Sequence, residues 1–124
     1  LLFRGAENGK TKMTKISFDD FLKVDIRVGT IEDVHDFPEA RNPAYKLFIN
    51  FGEEIGQRKT SAQITHNYTK EELIGTQIAA VINFPEKQIG KFMSQVLVLG
   101  FPDESGNVTL IRPTKIIPNG GRLY

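Results

Sequence analysis

A mainly β domain, rolled into a small five-stranded Greek-key barrel with short helices, is the fold this sequence predicts. Three observations point to it. Residues 24–29 and 45–51 alternate at period two, the pattern of strands with one buried face, and 94–101 carries apolar residues on both faces of a further strand. Helical signals are confined to two short stretches, each a hydroxyl residue with an acid three positions later. One of these stretches falls between the third and fourth strands, the connection expected of an OB-type barrel. A small open sheet carrying two helices is the competing arrangement, because pattern alone does not set strand order.

The elements follow in order. Residues 1–12 show no periodicity, and Leu1, Leu2 and Phe3 are too few for a signal-peptide core. We read 1–12 as a disordered leader or cloning remnant, with Met13 as a natural start and one domain over 13–124. Ser17 caps a short helix through the free amide of Asp20, and Asp19 and Asp20 suit its N-terminus. Val24, Ile26 and Val28 begin the first strand, which runs through Ile31 and Val34, with Gly29 permitting a bend or bulge. Pro38 and Pro43 make residues 37–43 a loop. Tyr45, Leu47, Ile49 and Phe51 mark the second strand, 52–56 a turn, and 58–64 the third strand. Thr69 with Glu72 is a capping box, and Gly75 ends that helix. The fourth strand spans 77–84; its Ala79-Ala80-Val81-Ile82 run has no polar alternation, which predicts cover on both faces. Residues 94–101 form the fifth strand, 103–107 a hairpin loop, and 108–111 the return.

Composition bounds the function classes. The chain has 124 residues, the size of one domain. Its formal net charge is +1, with the basic excess gathered at both ends (Arg4, Lys10, Lys12, Lys15; Arg112, Lys115, Arg122) around an acidic middle. A dedicated duplex-DNA binder carries a stronger basic excess, so any nucleic-acid role rests on a local patch. The absence of cysteine excludes disulfides, thiolate metal sites and a cysteine nucleophile, and fits a reducing compartment. No apolar run approaches the ~18–20 residues of a membrane span.

No constellation of residues would run a reaction. His35 and His66 belong to no metal-binding spacing, and no glycine-rich phosphate loop is present. The paired acids Asp19-Asp20 and Glu71-Glu72 are explained by helix N-termini. We therefore expect no catalytic residue, no metal and no cofactor. Residues 83–94 stand apart. Pro85 and Gly90 make this stretch mostly loop, yet it carries Phe84, Ile89, Phe92 and Met93. Such side chains either fold back onto the core or form a contact surface. Met beside aromatic rings suits an adaptable apolar pocket. Lys87 and Lys91 beside exposed rings would instead suit single-stranded RNA.

The segment Lys23-Val24-Asp25-Ile26-Arg27-Val28-Gly29-Thr30-Ile31 resembles the opening strand of the tRNA-binding domain family, an OB-fold module. Lys46-Leu47, Ser61-Ala62-Gln63-Ile64, Glu71-Glu72-Leu73-Ile74-Gly75 and residues 83–94 continue the resemblance in order, over about 16–123. Phe37-Pro38-Glu39-Ala40-Arg41, Ser61 to His66 and Asn83-Phe84-Pro85 are most similar to the free-standing CsaA-type export-related chaperones. The resemblance implies an OB-fold working as a cytoplasmic homodimer. It also implies unfolded or preprotein peptide segments as ligands and the secretion ATPase as a partner. Asn83 and Ser94 keep the family's spacing. Phe84-Pro85 replaces a more basic sequence, which lowers positive charge and adds apolar surface. On this reading Phe84, Phe92 and Met93 line a peptide pocket. Ser61, Gln63, Asn83 and Ser94 supply hydrogen bonds, and Lys46 and Lys87 add rim charge. The alternative is tRNA, recognised by shape through Lys46, Asn83, Lys87, Lys91 and Ser94.

Overall fold

The computed structural model describes residues 13–124, so the reading of 1–12 as a leader lies outside the described residues. The chain opens with helix α1 (Phe18–Leu22), closed at its N-terminus by the expected capping box: Ser17 Oγ accepts from Asp20 N at 3.1 Å, and Asp20 accepts from Ser17 N. Strand β1 (Ile26–Asp36) follows, then β2 (Tyr45–Asn50), a single turn α2 (Gly52–Ile55) and β3 (Gln57–Ala62). The connection α3 (Lys70–Leu73) carries the Thr69/Glu72 capping box and drops Leu73 into the interior. Strand β4 (Gln77–Val81), the pair β5 (Lys87–Ile89) and β6 (Phe92–Ser94), β7 (Leu97–Val98), β8 (Gly100–Pro102) and β9 (Val108–Leu110) complete the fold. No helix among the described residues is long and apolar enough to cross a membrane.

Five antiparallel strands form one sheet in the order β3-β2-β1-β4-β7. Strand β1 serves two neighbours. Its first half pairs with β4 and its second half with β2, with a register shift between Ile31 and Asp33. Gly29 sits where the strand bends over the interior. A Cβ there would lie 2.6 Å from Ile49 and 2.8 Å from Phe51, so packing rather than backbone conformation requires the glycine.

The sheet closes nearly into a barrel, and side chains complete the seam. Lys59 O accepts from Gln95 N at 2.9 Å, and Lys59 N donates to Gln95 Oε1 at 3.0 Å. Thr60 Oγ1 donates to Val96 O at 2.6 Å and lies 2.7 Å from Ser94 Oγ, which accepts from Ser61 N. The predicted OB-type Greek-key barrel, with a helix between its third and fourth strands, is the fold observed. Its interior is apolar, with Ile31, Leu47, Ile49, Ile64, Ile78 and Val96 wholly enclosed.

The two faces of β4 are covered as its run of apolar residues predicts. Ala80 belongs to the interior, while Val81 is buried outside it. The C-terminal segment pairs along the start of β1, through Val28 N to Gly121 O and Leu123 N to Ile26 O. Two details differ from expectation. Residues 87–94 are a β-hairpin rather than a loop, turning at Gly90 with φ +61°. The fifth strand is also broken, because Gln95 and Val96 leave β6 to close the seam before β7 begins.

Candidate functional site

A second apolar cluster lies apart from the barrel interior. Phe37, Ala44 and Phe92 are buried together, with Ala40, Phe48 and Ile89 half-buried against them. The loop after β1 contributes Phe37, and the β5–β6 hairpin contributes Phe92 and Ile89. The Phe37 and Phe92 rings stand 5.4 Å apart at 58°. Lys46 Nζ lies 4.8 Å from the Phe37 ring centre and 5.4 Å from that of Phe92, and Lys59 Nζ lies 5.2 Å from Phe92. Two ammonium groups thus hold the ring that anchors the hairpin, a contact favoured by the negative face of the ring.

Two concavities flank this cluster. The larger, of about 470 Å³, is bounded by Phe37, Glu39, Lys46, Lys91 and Phe92. Lys46 is already paired there with Glu39 at 3.6 Å. The smaller, of about 310 Å³, lies between Arg41 and Asn42 on the loop, Ser61 in β3 and Gln63 just beyond it, and Lys87 and Ile89 on β5. On the adjoining surface, His35 stacks on Phe48 at 5.2 Å. His35 also lies 2.8 Å from Asp33, and this hydrogen bond holds the Asp33 carboxyl below its usual range.

The residues singled out from the sequence divide three ways. Ser61, Gln63 and Lys87 come together around the smaller concavity, and Lys46, Lys91 and Phe92 around the larger. Of Phe84, Phe92 and Met93, only Phe92 borders one of these two concavities. Phe92 is only 8% exposed and folds back as the hairpin's anchor. Met93 is its neighbour in β6, so the pleat sends it to the opposite face. Phe84 lies between β4 and β5, 44% exposed, and borders neither concavity. Ser94 and Asn83 both have partners within the protein. Ser94 is wholly buried in the barrel seam. Asn83 accepts from Asp25 N at 3.0 Å and donates to Lys23 O at 2.7 Å, tying β4 to the segment before β1.

The sequence reading missed Phe37, Phe48, Arg41 and Lys59. An aromatic residue at the head of a loop with two prolines was the available signal for Phe37. Lys59 gave none, since it reads as one more polar residue on a solvated strand face. The opening motif turns out to be structural. Arg27 Nε donates to Asp25 Oδ1 at 2.6 Å, Arg27 Nη1 donates to Gly120 O at 2.9 Å, and Arg122 stands 3.5 Å from the same carboxylate. The Arg27 hydrogen bond, helped by the charges of Arg27 and Arg122 against opposing burial, holds the Asp25 carboxyl below its usual range. Among the described residues no three His, Asp or Glu side chains converge as a metal site would require.

Elsewhere, the C-terminal segment borders an apolar concavity of about 500 Å³ walled by Val28, Ala79, Ile111, Ile117 and Leu123. Ile116 and Tyr124 stand fully in solvent nearby.

Comparison with known proteins gives these features a family. Residues 26–122 match the family described as "Putative tRNA binding domain". The chain is 33% identical to the methionine–tRNA ligase of Thermococcus onnurineus over 117 residues, 94% of this chain. It spans only about 15% of the length of the curated ligases it matches. Among solved structures it is similar to chaperone CsaA from Bacillus anthracis, with TM-score 0.84 and 48% identity, covering 90% of this chain and 100% of that one. CsaA from Picrophilus torridus is similar at TM-score 0.83 and 53% identity, covering 89% and 100%. The MetRS-related protein of Pyrococcus horikoshii matches at 0.80 and 26%, covering 90% and 100%. On these grounds, and on the barrel that carries them, the chain belongs to the tRNA-binding domain family.

Proposed function

We propose that the protein is a non-catalytic, dimeric chaperone that holds unfolded or preprotein peptide segments in the cytoplasm, in support of protein export. The observation that carries this reading is the apolar cluster of Phe37, Ala44 and Phe92, flanked by two open concavities and lying outside the barrel interior. A barrel that needed only to be stable would not require it. The similarity to two CsaA chaperones across their full length supports the same reading. The peptide would lie between the loop at 37–44 and the hairpin. Ser61 and Gln63 would offer hydrogen bonds, and Lys46, Lys87 and Lys91 would offer charge at the rim. Phe84 and Met93 would add contacts outside the two concavities. A second copy of the chain is the proposed occupant of the apolar face beside Ile116, Leu123 and Tyr124. The secretion ATPase is the further partner that the resemblance implies.

A second reading is favoured by one observation. Arg41, Lys59, Lys87 and Lys91 border the same surface, and none has an ion-pair partner among the described residues. That array would suit tRNA. Fluorescence polarisation with a labelled unfolded peptide and with bulk tRNA, each at low and high salt, separates the two. Peptide burial predicts micromolar binding that changes little with salt, whereas phosphate contacts predict a steep salt slope. A hundredfold loss of peptide affinity at high salt would overturn the apolar mechanism. Absence of any tRNA complex at low salt would remove the second reading.

A further inference from the structure

We propose that the smaller concavity, between the 40–44 loop and β5, captures the free C-terminal carboxylate of a bound peptide; this rests on the peptide-binding reading above. Arg41 enters it from the loop and Lys87 from the hairpin. Neither has a hydrogen-bond or ion-pair partner among the described residues, and no Asp or Glu lines the cavity. Two unpaired cations around one small space favour an anion that both can reach. The larger concavity differs, because Glu39 lines it and already pairs with Lys46.

The rest of the lining chooses among anions. Ala40, Ala44 and Ile89 form an apolar wall, and Asn42, Ser61 and Gln63 offer neutral hydrogen-bonding groups. No aromatic ring lines the space, so a nucleotide placing its phosphate there would find no platform for its base. A terminal amino acid fits both halves: its carboxylate meets the cations and an aliphatic side chain meets the apolar wall. Strand β5 can also hold the residues that precede it. Ile89 pairs with Phe92 across a two-residue turn, so the peptide groups of Gln88 face away from β6. An extended chain could add there as a further strand.

The test compares two labelled peptides of one sequence ending in an aliphatic residue, one with a free acid and one with a C-terminal amide. The acid should bind about tenfold tighter, the scale of a charge-assisted contact. The double substitution Arg41→Gln with Lys87→Gln should bring the two to equal affinity, the acid losing about tenfold more than the amide. Both side chains are exposed, and circular dichroism would verify that the variant folds. Equal affinities in the unmodified protein would overturn the proposal and leave peptide binding intact. Failure of both peptides to bind would remove the peptide reading and this proposal with it. If the double variant keeps the acid preference but loses affinity for a single-stranded RNA oligonucleotide, the anion is phosphate and the proposal fails.

Discussion

The barrel interior and the Phe37–Phe92 cluster are both apolar, yet they are built on opposite plans. The interior is walled by strands and covered by Leu73 of α3, and its polar seam is bonded through Thr60, Ser94 and Val96. The outer cluster has three buried residues, one loop and one short hairpin, and it opens on both flanks. Enclosure maximises the area removed from water and so favours stability. A thin cluster with open flanks contributes less to stability but keeps apolar and charged groups within reach of a ligand. The proposed site thus lies where packing is least complete, on elements held by few contacts.

Paired truncations give the largest separation. Leu47→Ala in the interior should cost about 2–5 kcal/mol in denaturant unfolding and, below the melting transition, leave peptide affinity unchanged. Phe92→Ala should cost about 1–3 kcal/mol, below the usual range for an enclosed phenylalanine, yet weaken peptide binding severalfold because the larger concavity loses one wall and the packing behind Ala44 and Ile89 of the smaller one is loosened. If Phe92→Ala lowers stability alone, the cluster is merely structural.

Thr60→Val tests the seam. It keeps the shape but leaves Val96 O and the Ser94 hydroxyl without their buried partner, at a cost of about 1–3 kcal/mol. Urea unfolding measures it, and no effect would mean that β3 and the 94–96 segment do not depend on this chain of bonds.

The smallest effect concerns the clasp between the C-terminal segment and β1. Asp25 has a folded pKa below its ordinary 3.8, so its contribution to stability is present above that value and is lost as pH falls through the lower folded one. The stability difference between the unmodified protein and Asp25→Asn should be full at neutral pH and close as pH falls below 3.8. A pH-independent difference would deny the ion pair its role.

Much of the fold was legible because its rules are local. Period-two alternation marked β1 and β2, and the Ser17/Asp20 and Thr69/Glu72 boxes marked two helix starts to the residue. The hairpin at 87–94 was not legible. Pro85 and Gly90 signal a loop, and only pairing of Ile89 with Phe92 and burial of the Phe92 ring make it a sheet. The site was legible in part. Ser61, Gln63 and Lys87 are far apart in sequence but meet at one concavity, whereas Asn83 and Ser94 are held by internal bonds.

Most strand positions and the two helix caps followed from residue order, because each depends on neighbours within a few positions. Which aromatic ring is enclosed, which cations stay unpaired and which polar side chains close the barrel were settled by the folded arrangement. These depend on contacts between segments some 30 to 60 residues apart, such as Thr60 with Ser94 and Asp25 with Asn83. Competition among such contacts leaves no periodic trace along the chain.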